Sequence, residues 1–187
     1  MTRTVYNTAT SLDGFIATED HSLEWLFAAE AGGAAQGESA ESEVEEFMKG
    51  VGAVLMGATT YEWVHRHEGD KDWAYDMPSW VLTHRELPPF KGANDIRFAA
   101  ADSDDELRAL HAKVVESAGG KDLWLLGGGR IAADLARLGL LDEVIVSIAP
   151  VTLGSGAPLL AGRVDLRPLD VHRTGAFACA RYEVVRS

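Results

Sequence analysis

One stretch constrains this chain more than any other. LWLLGGGRIAADLARLGLLDEVIVSIAPVTLG, residues Leu123 to Gly154, is an apolar β-rich block, three glycines, a helical stripe of Ile131, Leu135 and Leu138, and a second apolar block. Strand, tight turn, helix and strand make a β-α-β unit, and parallel strands joined in this way lie in sheets covered by helices. Val144, Ile145, Val146 and Ile148 are nearly continuous apolar residues instead of alternating ones, the pattern of a central strand buried on both faces. A chain with this unit folds around a largely parallel sheet.

Further β-rich runs agree: Thr4 to Thr8, Ala53 to Met56, Trp80 to Thr83 and Ile96 to Ala99, with helical patterns between most of them. The expected class is α/β. At 187 residues the chain has room for one domain with a sizeable core, expected to span residues 1–187. Ser103 with Glu106, and Thr59 with Glu62, have capping-box spacing and predict helix starts. The first of these helices carries Leu107, Leu110 and Val114 on one face and ends near Gly119 and Gly120. Beyond Gly162, two extended runs flank Thr174-Gly175 and predict a terminal antiparallel hairpin.

Charge and cysteine usage narrow the partners. A net charge of −12 repels polyanions, so broad nucleic-acid binding is not expected and any phosphate must be met locally. No run reaches the ~18 apolar residues of a membrane span, and no leader pattern opens the chain. Cys179 is the single cysteine, which excludes an internal disulfide framework and fits a reducing compartment; a soluble cytoplasmic protein is expected. The acidic run Glu38, Glu41, Glu43, Glu45 and Glu46 reads mainly as a solvated helix face near the positive end of the helix dipole.

The glycines can do more than turn. Free backbone N–H groups at the start of a helix hold phosphate close to the main chain, and Gly127, Gly129 and Ala132 match G-x-G-x-x-A. Their late position, with Asp142-Glu143 before the next strand, disfavours an ordinary Rossmann domain; a tight turn with close helix packing is the alternative. VLMGATTYEWV, Val54 to Val64, brings a second strand end at Gly57 to a helix start near Thr59 and Thr60. Two such ends suit a pyrophosphate. VLTHRE, Val81 to Glu86, delivers Thr83, His84 and Arg85, a set able to hold a phosphomonoester or to stand in a solvated loop. His65-Arg66-His67 lacks a third ligand nearby and reads as a solvated loop, so no metal site is expected.

Taken in order, TSLDGFIA (Thr10 to Ala17), SLEWL (Ser22 to Leu26), EVEEFMKGVGAVLMGATTYEWV (Glu43 to Val64), VLTHRE, LWLLGGGRIAADL (Leu123 to Leu135) and LLDEVIVSIAPVTLGSGAPLL (Leu140 to Leu160) resemble the dihydrofolate reductase-like superfamily. The likeness is strongest to the branch containing the reductase domain of riboflavin biosynthesis, the RibD C-terminal-like branch. It implies a three-layer sandwich: a mostly parallel central sheet flanked by helices, with a C-terminal antiparallel hairpin. It also implies NADPH across the carboxyl ends of the strands and a reductase of a small heterocyclic substrate, similar to 5-amino-6-(5-phosphoribosylamino)uracil reductase and dihydrofolate reductase.

By the same resemblance Gly57, Thr59 and Thr60 meet the pyrophosphate from one helix start, and Gly128, Gly129, Arg130 and Ile131 from the other. Thr83, His84 and Arg85 lie by the adenosine 2'-phosphate, and Ala9 and Ile16 border the nicotinamide. Asp13, in the S-L-D-G turn, and Glu43, which aligns with the folate-site carboxylate, are the candidate catalytic residues. Glu43 would hydrogen-bond a pterin-like ring and supply a proton. The substrate half departs from both relatives: Glu24 replaces the usual folate-reductase proline, and Phe15 the basic residue often found after S-L-D-G. The family further implies a homodimer. The rival reading is a non-catalytic nucleotide-binding or interaction protein that keeps the fold.

Overall fold

The strands β1 (Thr4–Ser11), β3 (Val51–Gly57), β4 (Ser79–Leu82), β5 (Ile96–Ala99), β6 (Asp122–Leu125), β7 (Glu143–Ala149), β9 (Leu166–Thr174) and β10 (Phe177–Val184) build one sheet. Its order is β5-β4-β3-β6-β1-β7-β10-β9. The first six are parallel; β10 runs antiparallel to β7, and β9 antiparallel to β10. A small antiparallel pair, β2 (Phe15–Ala17) with β8 (Ala157–Pro158), stands apart. The helices are α1 (Glu24–Gly33), α2 (Ala40–Lys49), α3 (Ala58–Glu68), α4 (Asp104–Ser117) and α5 (Gly129–Arg137). This computed structural model describes residues 2–33, 40–68, 71–90, 92 and 95–186. Glu38 of the acidic run lies outside them.

Two cores explain why the central strands are continuously apolar. On one face Tyr6, Leu55, Leu123, Leu125, Val144 and Val146 pack against Leu107, Leu110 and Val114 of α4 and Leu135 of α5. On the other, Val54, Met56, Val81 and Trp124 pack against Tyr61 of α3, with Phe47 and Met48 of α2 alongside. Each fully buried aliphatic side chain contributes about 1.5–3 kcal/mol of transfer free energy, so the helices have no freedom to leave the sheet. A third cluster seats α1: Trp25, Leu26 and Ala29 lie against Ala149, Phe177 and Cys179. Among the described residues no helix is long and apolar enough to cross a membrane.

The α4 cap forms as its spacing predicts, with one adjustment. Ser103 Oγ accepts from Glu106 N–H at 3.2 Å, while the Glu106 carboxylate accepts from Asp102 N–H at 2.6 Å, one residue earlier than the capping box requires. The second box is corrected. Helix α3 begins at Ala58, directly after β3, so Thr59 lies inside its first turn and Glu62 pairs with Arg85 instead. His65-Arg66-His67 also belongs to α3 and is no loop: His67 stacks on Trp63 with ring centroids 4.0 Å apart, and His65 meets Phe90 edge-on at 5.3 Å. Those aromatic contacts override the polar reading of the segment.

The terminal hairpin turns at Gly175, whose φ of 57° suits a residue without Cβ. The D-E-x-x-x-x-x-x-P-x-x-L-G-x-G run is a set of fasteners. Asp142 accepts from Thr4 N–H at 2.8 Å, and the buried Glu143 receives Arg3 at 2.9 Å and Arg181 at 2.8 Å. Gly156 passes so close to β2 that an added Cβ would stand 2.1 Å from the Ala17 carbonyl oxygen.

Candidate functional site

Two neighbouring parallel strands set the geometry. β3 runs directly into α3, and β6 runs through Gly127 and Gly128 into α5, so both helix starts open at the carboxyl edge of the sheet. They touch. A Cβ added to Gly127 would lie 3.0 Å from Thr60 Oγ1, and one added to Gly57 would lie 3.2 Å from Ile131 Cδ1. Gly127 and Gly128 hold φ of 147° and 94°, values that L side chains rarely adopt. Gly129 is fixed by close approach, since its Cβ would meet the Pro158 carbonyl oxygen at 2.1 Å.

Gly128 is the N-cap of α5 and offers no side-chain cap hydrogen bond. The first N–H groups of a helix lack intrahelical acceptors, so those of Gly129, Arg130 and Ile131 face outward at the positive end of the dipole. The arrangement can take an anion of phosphate size. Above it opens a cavity of about 400 Å³, lined by Thr8, Ile16, Thr59, Thr60, Trp63, Gly127, Gly128, Gly129 and Arg130, with Ala157 and Pro158.

Of the cofactor residues predicted from sequence, Ile16, Thr59, Thr60, Gly128, Gly129 and Arg130 line this cleft. Gly57 and Ile131 pack against one another and bring the two helix starts together. Thr83, His84 and Arg85 stand in the loop after β4, each with a partner within the chain. Arg85 gives two parallel bonds to Glu62 of α3, at 3.0 and 2.9 Å, and His84 Nε2 lies 3.2 Å from the Asp102 carboxylate. Thr83 Oγ1 accepts from Arg85 N–H at 2.9 Å and fixes the loop.

Asp13 is a clasp. Its carboxylate receives Ser11 Oγ at 2.6 Å, Leu153 N–H at 3.0 Å and Gly154 N–H at 2.7 Å. Chief among the causes, the Ser11 hydrogen bond holds its pKa down to about 2, aided by the Gly154 and Leu153 amides. A carboxylate with that pKa is ionised near neutrality and has no proton to give. Its chemistry here is to tie the β1–β2 turn to the loop between β7 and β8.

Glu43 lies away from the glycine cleft, in a second cavity of about 330 Å³ between α2 and the sheet. Thr174 donates to its carboxylate, and His172 Nε2 lies 3.2 Å from the same oxygen. Ala9, Ser147, Cys179 and His172 are successive partners across β1, β7, β10 and β9. Cross-strand partners share a face, and strands are about 4.8 Å apart, so this row leads from Ala9 to Cys179 over roughly 10 Å. Asn7, Ser147, Phe47 and Phe177 also line the cavity. Sequence reasoning missed His172, Thr174 and Ser147; the first two stand on a hairpin strand with many exposed polar residues, and Ser147 is a lone polar residue in the apolar run of β7.

A six-strand parallel sheet, a terminal antiparallel pair and two glycine-bearing helix starts facing one another define the dihydrofolate reductase-like class. Residues 3–181 match the RibD C-terminal domain, and the chain belongs to that family. It is similar to YwjB, an uncharacterized protein of Bacillus subtilis (strain 168), with 29% identity over 184 residues covering 95% of this chain and 94% of that one. Among solved structures, a putative riboflavin biosynthesis protein from Shewanella sp. PV-4 has a TM-score of 0.76 at 25% identity, covering 100% of both chains. A dihydrofolate reductase from Enterococcus faecalis, complexed with NADP(H), shares the fold with a TM-score of 0.54 at 12% identity, covering 97% of this chain and 96% of that one.

Proposed function

We propose that the protein is an NADPH-dependent reductase of a small heterocyclic substrate, acting in the cytoplasm as a single-domain subunit of a homodimer. The observation that carries this reading is the contact between two helix starts, Gly57 to Thr60 and Gly127 to Ile131, beneath one open cleft. The residues present fit a dinucleotide: glycines leave room where a Cβ would intrude, Thr60 offers a hydroxyl, and the first N–H groups of α5, which no side chain caps, are charge-complementary donors. Membership of the RibD C-terminal domain family and the likeness to a reductase that binds NADP(H) support it.

When bound, the cofactor supplies hydride from its nicotinamide. The chain's own task is placement and exclusion of water. Ile16 and Ala9 border the ring, and the row from Ala9 through Ser147 gives a flat substrate a shelf that ends at Glu43. Glu43, steadied by Thr174, accepts hydrogen bonds from ring N–H or amino groups of a pterin-like or pyrimidine substrate. Asp13 keeps the loops over the cleft in register. The homodimer reading draws support from the edge strand β9, which leaves Leu169 and Val171 exposed at 52% and 68% where natural edges are usually blunted or covered.

The test is titration with NADPH and NADH, following quenching of tryptophan fluorescence; Trp63 in the cleft wall is the reporter. Tight NADPH binding is expected, followed by oxidation of NADPH in the presence of a pterin or ribosyl-pyrimidine acceptor. Failure to bind either nucleotide removes the reading. Binding without turnover on any such acceptor favours a nucleotide-binding protein that keeps the fold.

A further inference from the structure

The cavity beneath α2 contains a combination of side chains that hydrogen bonding alone does not require. Glu43 of α2, His172 of β9 and Cys179 of β10 bring a carboxylate oxygen, an imidazole nitrogen and a thiol sulfur within 4.8 Å of one another. We propose that these three residues form a binding site for a borderline transition-metal ion of the Zn²⁺ type, with its fourth position open to the cavity.

The donor set argues for the metal. Sulfur, nitrogen and oxygen together suit Zn²⁺ or Co²⁺, whereas Ca²⁺ and Mg²⁺ select oxygen alone. Around tetrahedral zinc, bonds of about 2.0–2.3 Å place ligand atoms about 3.4 Å apart. The Glu43–His172 separation of 3.2 Å already has that scale. Cys179 Sγ, held by a long 3.7 Å hydrogen bond to Ser147 Oγ, lies within 4.8 Å of both other ligand atoms, so a small inward shift of the three groups completes the site.

The scaffold argues for it too. Cys179 and His172 are direct cross-strand partners in an antiparallel pair, so two ligands come from rigid sheet and project to one face. Asp170, two residues before His172 on β9, lies 2.7 Å from His172 Nδ1. A carboxylate on one ring nitrogen orients the imidazole and leaves Nε2, the atom facing Glu43, for the metal. Binding at Cys179 displaces the thiol proton to solvent and leaves a metal-bound thiolate; no electron is transferred. The open fourth position accepts water or an oxygen or nitrogen atom of a ligand in the cavity.

The inference shares Glu43 with the reductase reading, metal taking one carboxylate oxygen and leaving the other to a ring N–H, but it does not depend on that reading and its test uses metal alone. Chelator-treated protein titrated with Co²⁺ should develop a thiolate-to-cobalt charge-transfer band with one-to-one stoichiometry, abolished by competing Zn²⁺. Cys179→Ser should remove the band, and His172→Gln, at a half-exposed position on the edge strand, should weaken Zn²⁺ binding at least tenfold. Asp170→Asn should weaken it 10- to 100-fold through imidazole orientation, with metal-free thermal unfolding unchanged. Absence of the cobalt band in the parent protein overturns the proposal, as does equal Zn²⁺ affinity in the parent and the His172→Gln and Cys179→Ser variants. NADPH quenching measured on the same samples reports the cleft separately, so loss of one result leaves the other standing.

Discussion

Arg85 and Glu62 are locked in a two-pronged ion pair, 3.0 and 2.9 Å, across the gap between the loop after β4 and helix α3. The only cation of VLTHRE is therefore engaged within the chain. Both side chains are well exposed, 55% and 35%, so the pair contributes at most about 1 kcal/mol and a phosphate can compete for the guanidinium. Glu62→Gln should raise NADPH affinity about fivefold, the equivalent of ~1 kcal/mol, and leave NADH affinity unchanged. Arg85→Gln should lower NADPH affinity at least tenfold with NADH again unaffected. Equal effects on both nucleotides would move the 2'-phosphate away from Arg85.

The glycine turn makes a different prediction, because pyrophosphate is common to both nucleotides. Gly128→Ala forces a Cβ onto φ of 94° and costs roughly 1–2 kcal/mol of stability. It should weaken NADPH and NADH equally, by at least tenfold, in fluorescence titrations. Gly129→Ala meets the Pro158 carbonyl at 2.1 Å and should cost about 1–3 kcal/mol in urea unfolding as α5 shifts.

How much of this was legible is clear from particular residues. Ile96 to Ala99 was bounded by sequence as it stands in β5, although that edge strand is partly exposed. The central parallel strands lie within a few residues of their apolar runs, because a strand buried on both faces carries its whole signal in its own residues. The phosphate-sized turn was legible because glycine spacing is local. The Glu43 cavity was not: His172 lies 129 residues along the chain from Glu43, and they meet where α2 lies over the hairpin strands of the sheet. β2 and β8, of three and two residues, are too short to show a period. Thr59 misled because capping-box spacing persists inside a helix that follows its strand without a break.

Asp13 predicts a pH effect far from neutrality. Its pKa is depressed from 3.8 to about 2, so the clasp contributes stability that is complete above about pH 4 and is lost as pH falls toward 2. Asp13→Asn removes the charge at every pH. Amide hydrogen exchange at Leu153 and Gly154 should accelerate in the variant at pH 7, and NADPH binding should weaken as the loop beside β8 loosens. Unchanged protection of both amides would show that the loop is held by other contacts.

His111 gives the pH dependence nearer neutrality. It lies on α4 with Nε2 2.7 Å from Thr4 Oγ1, and burial lowers its pKa, opposed in part by the charge of Asp142. A histidine whose folded pKa lies below its unfolded value of about 6.5 contributes stability that is present above that value and lost as pH falls. Urea unfolding at successive pH values should therefore show a decline below about pH 6.5 that is shallower in His111→Gln, which keeps a hydrogen-bonding atom near Thr4 and cannot charge. An identical slope in the variant would assign the decline to other groups, and not to Asp13, whose contribution is complete above about pH 4.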